Sequence, residues 1–164
     1  MKFTYSVVIP LILIVAGTVQ AGEQREALVL HKEPLFEYDE KGSSECDGLY
    51  DVKAGKNIPD MRDFRLYFCE GRYTVTLKGK KGTTVSLFGQ FKYKKGAGFM
   101  VVVKNDNRKI WLDRLEDFPS GKWVNVKANR DTGAYKFYYK SVSRFSENIS
   151  SVKWGAWWKG KTPQ

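Results

Sequence analysis

The chain has 164 residues, of which 42% are hydrophobic and 28% charged, with a net charge of +10. That is the length of one ordinary domain, able to bury about two thirds of its unfolded surface without a dense disulfide framework. The two cysteines, at 46 and 69, are too far apart for a Cys-x-x-Cys redox motif, and one histidine excludes a multi-histidine zinc site and leaves little to build a Ser–His–acid triad from.

The first segment reads as an address. Lys2 gives a positive start, Val7 to Ala16 is apolar, and Val19-Gln20-Ala21 places small residues where a signal peptidase cuts. The apolar run is too short to span a bilayer. Residues 1–21 are therefore expected to be a signal peptide, the alternative being an uncleaved anchor. The mature chain is expected to be secreted and extracellular. There, Cys46 and Cys69 are expected to form one disulfide, worth about 3 kcal/mol. Asn148-Ile149-Ser150 is a glycosylation acceptor triplet, expected to carry a sugar.

Residues 22–44 are polar and acidic, and read as an N-terminal arm. Val29, Leu30, Leu35, Phe36 and Tyr38 offer short edge strands within it. Residues 45–164 read as one β-domain. Strands are expected at Arg65–Cys69, Arg72–Lys78, Thr83–Tyr93, Phe99–Lys104, Lys109–Asp113, Trp123–Asn129, Ala134–Lys140 and Ile149–Trp158. Each is rich in β-branched and aromatic residues and bounded by turn residues. No helical apolar period persists. Many short strands at this spacing predict an all-β fold, an antiparallel β-sandwich or a barrel.

Alternation assigns faces. Tyr73, Val75 and Leu77 share one side, as do Tyr135, Phe137 and Tyr139. Trp123, Asn125 and Lys127 are expected to point outward, with Lys136, Tyr138 and Lys140. Met100 to Val103 is apolar without alternation, which predicts a strand covered on both faces.

The run Gly121-Lys122-Trp123-Val124-Asn125-Val126-Lys127, then Arg130-Asp131-Thr132-Gly133 and Tyr135 to Tyr139, resembles the central hairpin of concanavalin-A-like jelly rolls. That superfamily holds laminin-G, pentraxin and MAM domains. Phe91 to Val103 and Ile110-Trp111-Leu112 are similar to the MAM-type strand order, so the resemblance spans about residues 83–140. It departs at Tyr139-Lys140-Ser141, where laminin-G domains usually have an Asn-Gly pair, and no calcium-ligand cluster carries over. The resemblance implies a jelly-roll sandwich and a habit of binding glycans or extracellular proteins, with no particular activity.

Charge is segregated. Residues 22–70 carry seven basic and twelve acidic groups, a net −5, whereas residues 71–164 carry twenty and six, a net +14. Outside a cell such a lobe meets sulfated glycans, anionic lipid or acidic proteins, and nucleic acid is excluded by compartment. Two clusters repeat a pattern: Lys78, Lys80 and Lys81, then Lys92, Lys94 and Lys95. They suit sulfated glycans, or they are solvated turns that protect strand edges. A single strand over Thr83–Tyr93 would hold the clusters roughly 35 Å apart. In a meander the first cluster neighbours Arg108 and Arg130, and the second Arg114 and Lys122.

The outward set Trp111, Trp123, Asn125, Lys127, Lys136 and Tyr138 mixes rings with polar groups, which suits sugar rings. Each ring taken alone has a core-packing alternative. Trp154 to Lys161, with three tryptophans, reads as core packing of a last strand, a membrane interface or a ligand platform. No paired carboxylates stand at glycosidase spacing, no metal or cofactor site is expected, and His31 reads as a surface residue. The expected function is a non-catalytic, lectin-like module for an anionic glycan or sulfated polysaccharide. The alternatives are a protein active on anionic membranes and an effector that binds an extracellular protein.

Overall fold

The computed structural model describes residues 26–34, 48–62, 71–140 and 142–163. The expected signal peptide, Leu35, Phe36, Tyr38, the Cys46 and Cys69 pair and the strand expected over Arg65–Cys69 lie outside the described residues.

Nine strands occur among the described residues: β1 (Ala27–Pro34), β2 (Gly48–Lys53), β3 (Gly71–Lys78), β4 (Thr84–Phe88), β5 (Phe99–Lys104), β6 (Ile110–Leu112), β7 (Trp123–Val126), β8 (Tyr135–Lys140) and β9 (Ser151–Trp154). They form a four-stranded sheet, β2-β1-β3-β6, and a five-stranded sheet, β7-β8-β5-β4-β9. Every strand pairing is antiparallel. The two sheets stack as the expected antiparallel β-sandwich.

The core is built by period two. Leu28 and Leu30 of β1, Tyr73, Val75 and Leu77 of β3, and Ile110 and Leu112 of β6 meet Val85 and Leu87, Met100 and Val102, Tyr135, Phe137 and Tyr139, and Val152. Burial of each such aliphatic side chain contributes about 1.5–3 kcal/mol.

Lys104 ends the inner row of β5 and is fully buried. Its ammonium donates to the carbonyl oxygens of Leu77, at 3.5 Å, and Arg108. Burial pulls its pKa down, and the charge of Asp106 partly offsets this.

Several expectations change. Residues 27–34 are not part of an arm or an edge: β1 lies between β2 and β3 and is paired on both sides. Only alternate residues of such a strand need be apolar, so Leu28 and Leu30 suffice. Lys32, also on the inner side, is buried with its ammonium 5.2 Å from the Tyr73 ring centre.

The strand expected from Thr83 to Tyr93 stops at Phe88. Gly89 passes so close to Ala97 that a Cβ would overlap its carbonyl oxygen. Phe91–Tyr93 then forms a 3-10 turn, with Lys92 and Tyr93 in the left-handed region. β7 ends at Val126, and Asn129 Oδ1 accepts from the amides of Asp131 and Thr132 in the turn that follows. β9 ends at Trp154, where Gly155, at φ 78°, redirects the chain.

Candidate functional site

Strand register defines the outer face of the five-stranded sheet. One row runs Asn125–Lys136–Val103–Thr84. The next runs Trp123–Tyr138–Val101–Ser86–Lys153, and the third Lys140–Phe99–Phe88–Ser151. Phe88, Phe99, Val101 and Tyr138 form a second buried apolar cluster on this face, separate from the main core. The two-sided burial expected for Met100–Val103 follows from these two clusters.

The cluster is roofed by the segment after β9. Gly155 turns residues 156–163 back across the sheet as a strap. The Trp157 ring lies 5.6 Å from both Phe88 and Phe99, and its indole N–H donates to Ser86 Oγ at 2.7 Å. Trp158 lies 5.7 Å from Trp123, whose own indole N–H donates to the Lys161 carbonyl at 2.9 Å. Trp157, Trp158 and Trp123 are each partly buried. The C-terminal tryptophans therefore pack as a small outer core and keep part of their surface in solvent.

Lysines surround these rings. The ammonium of Lys136 stands 4.2 Å from the Trp123 ring centre, that of Lys95 5.5 Å from Trp157, and that of Lys153 5.2 Å from Tyr93. Each contact is worth about 0.5–1 kcal/mol at an exposed site. The outer face, the 89–98 loop and the strap together carry eight lysines (92, 94, 95, 136, 140, 153, 159 and 161) and no acidic residue. None of the eight forms an ion pair among the described residues. The nearest influence is at the margin. Asp60 is held below the usual carboxylate range first by hydrogen bonds from Arg62, with a smaller contribution from Lys92. Burial pushes the Tyr93 hydroxyl up, so that ring stays neutral within the basic surface.

The other basic group lies at the end of the sandwich where β4 begins. Three turns meet there: residues 78–83, 105–109 and 127–134. They hold seven basic and two acidic residues. The amide of Lys81 donates to Asn107 Oδ1 at 2.8 Å, and the Arg108 guanidinium donates to the carbonyls of Asn129 and Arg130 at 2.7 and 3.1 Å. Asp106 is occupied by the amides of Arg108 and Ala134. The expected neighbourhood of the first lysine cluster with Arg108 and Arg130 follows from these bonds.

The remaining expected site residues divide as follows. Lys78, Lys80, Lys81, Lys92, Lys94, Lys95, Asn125 and Lys127 are exposed, and Lys127 lies just past β7. Lys136 and Trp123 are on the outer face and partly covered. Tyr138 points outward as alternation requires, yet it is only 7% exposed, because Phe99 and Trp123 pack on it. It supports the face from beneath and is no contact surface.

Trp111 is 43% exposed but belongs to the other sheet, beside Thr76. It lines a separate cleft of about 200 Å³ with Leu112, Asp113, Arg114, Asp117, Phe118 and Tyr135. Trp111 therefore does not join the lysine-ringed surface. Lys140, Lys153, Lys159 and Lys161 are not among the expected site residues, although Lys140 points outward as expected. The alternation of Ser151–Trp154 could have flagged Lys153, whereas the strap lysines depend on a reversal that alternation does not encode.

Asn148 is partly buried, and its side-chain amide donates to the Arg144 carbonyl at 2.7 Å. The Ser150 side chain of the same triplet is buried against the Gly89 and Asn148 carbonyls. Among the described residues no helix is long and apolar enough to cross a membrane. Comparisons with protein-family models, curated proteins and solved structures give no match for this chain.

Proposed function

We propose that the protein is a secreted, non-catalytic, lectin-like module that binds an anionic glycan, such as a sulfated polysaccharide, on the outer face of its five-stranded sheet. One observation carries the reading: eight lysines share that face and its two flanking segments with no carboxylate among them. Like charges gathered without partners repel one another, so an arriving polyanion is attracted and relieves that repulsion. The partly exposed indoles of Trp123 and Trp158 give sugar rings an apolar surface, while Lys136 and Asn125 offer donors beside it. The resemblance to concanavalin-A-like jelly rolls belongs to the same proposal.

Heparin-affinity chromatography tests it. The full chain is expected to be retained at physiological salt and to elute only at higher ionic strength. Passage through the column at physiological salt would defeat the reading. Binding to anionic vesicles or to an extracellular protein is the competing outcome. Against membrane insertion, Trp157 and Trp158 are committed to packing on Phe88, Phe99 and Trp123.

A further inference from the structure

Resting on the anionic-glycan reading, we infer that the site is divided: one linear polyanion lies along the outer face and is held at two separate cationic subsites, one at each end of β4 and β5. The first subsite is the junction of the three turns, with Lys80 and Lys81 from one, Lys109 from the second, and Lys127 and Arg130 from the third, all exposed. The second is the 89–98 loop, with exposed Lys92, Lys94 and Lys95, joined by Lys140 at the end of β8.

Both subsites are pre-ordered. At the first, the bonds from Lys81 to Asn107 and from Arg108 to the 129–130 carbonyls tie the turns together. At the second, the Lys92 amide donates to the Pro59 carbonyl at 2.7 Å and the Tyr93 amide to Ser151 Oγ at 3.2 Å. The Tyr93 ring packs 5.7 Å from Phe88. Lys95 is drawn over the Trp157 ring, which turns the second subsite onto the outer face. Ordering before contact lowers the entropy lost on binding.

The spacing sets the ligand. β4 has five residues and β5 six, and the subsites lie just beyond their ends. At about 3.3 Å per residue the subsites are roughly 20 Å apart. That is shorter than an unbroken Thr83–Tyr93 strand would give, because β4 stops at Phe88. A single sulfate or a short oligosaccharide reaches only one subsite. A longer chain reaches both by passing over the strap, where Trp157 covers Phe88 and Phe99 between the ends of β4 and β5. The second contact is then intramolecular, which raises affinity without any new kind of interaction.

The test uses size-defined heparin oligosaccharides, a tetrasaccharide and a dodecasaccharide, titrated calorimetrically into the full chain. The variants are Lys80→Gln/Lys81→Gln and Lys94→Gln/Lys95→Gln. The dodecasaccharide is expected to bind about a hundredfold tighter than the tetrasaccharide. Either double variant should bring the dodecasaccharide close to tetrasaccharide affinity and make its binding less salt-dependent; the melting temperature stays unchanged for Lys80→Gln/Lys81→Gln and falls by about 1–4 °C for Lys94→Gln/Lys95→Gln, which loses the Lys95–Trp157 contact. Equal affinity for both lengths, or one lysine pair without effect, overturns the divided site while leaving a single glycan site standing. Absence of binding at any length overturns both.

Discussion

Trp157→Ala removes the ring that roofs Phe88 and Phe99 and the indole donor to Ser86. A fully buried tryptophan hides about 150–250 Å². At about 25 cal/mol per Å² that corresponds to roughly 4–6 kcal/mol. Trp157 keeps part of its surface in water, so about half of that applies, roughly 2–3 kcal/mol. The hydrogen bond to Ser86, itself fully buried, adds about 1 kcal/mol. The expected loss is about 3 kcal/mol, which at a urea m-value of about 2 kcal/mol/M lowers the midpoint by about 1.5 M. Trp157→Phe keeps most of the ring contact and loses only the donor, so its cost is about 1 kcal/mol. Equilibrium urea unfolding, followed by far-UV circular dichroism, measures both. A midpoint shift below about 0.3 M for the alanine variant would show that the strap rests on the sheet without stabilising it, and the outer core would have to be abandoned.

Lys104→Met leaves the Leu77 and Arg108 carbonyls without their donor, and a net loss of about 1–2 kcal/mol at neutral pH is expected in the same assay. The folded-state pKa of Lys104 is depressed, so the unfolded chain binds the extra proton, and its contribution to stability rises with pH up to the ordinary lysine range. The methionine variant lacks this rise, so its deficit should widen as pH approaches 10; a constant deficit would contradict the buried charge. Tyr135 acts in the opposite direction. Burial first, and Asp113 second, push its pKa from 10.0 up to about 12. Its stabilisation is complete below the unfolded value and is lost as pH rises through that interval, about 2–3 kcal/mol in all. Tyr135→Phe should flatten the alkaline decline, and an unchanged decline would assign it elsewhere. Gly89→Ala forces a Cβ onto the Ala97 carbonyl and is expected to cost about 1–3 kcal/mol, with amide shifts through residues 89–98 in NMR spectra. A silent spectrum would mean that the loop is not held as described.

The sandwich was legible where alternation is strict. Tyr73, Val75 and Leu77, and Tyr135, Phe137 and Tyr139, announce their buried side without help from neighbours. The unbroken apolar run in β5 announced that something lies on both faces. What covers the outer face was not legible, because Trp157 and Trp158 belong to no strand and reach Phe88 and Phe99 only after Gly155 reverses the chain. β1 is hard to read as an inner strand because His31, Lys32 and Glu33 look like solvent-facing residues, whereas Leu28 and Leu30 suffice for its core side and Lys32 is buried there against the Tyr73 ring. The lysine clusters were visible as charge. The gathering of Lys136, Lys140 and Lys153 on one face came from the register of β4, β5, β8 and β9, which pairs residues far apart in sequence.

β9 and the strap are the last of the described elements to be synthesised, and they complete a sheet whose β4 and β5 were made well before them. Until they emerge, one side of β4 has no hydrogen-bonding neighbour and Phe88 and Phe99 face water. Between the making of Phe99 and that of Trp157 the nascent domain is thus a sticky, half-finished object. Chains interrupted before Ser151 leave that edge of β4 and those two rings uncovered and should precipitate or recruit chaperones.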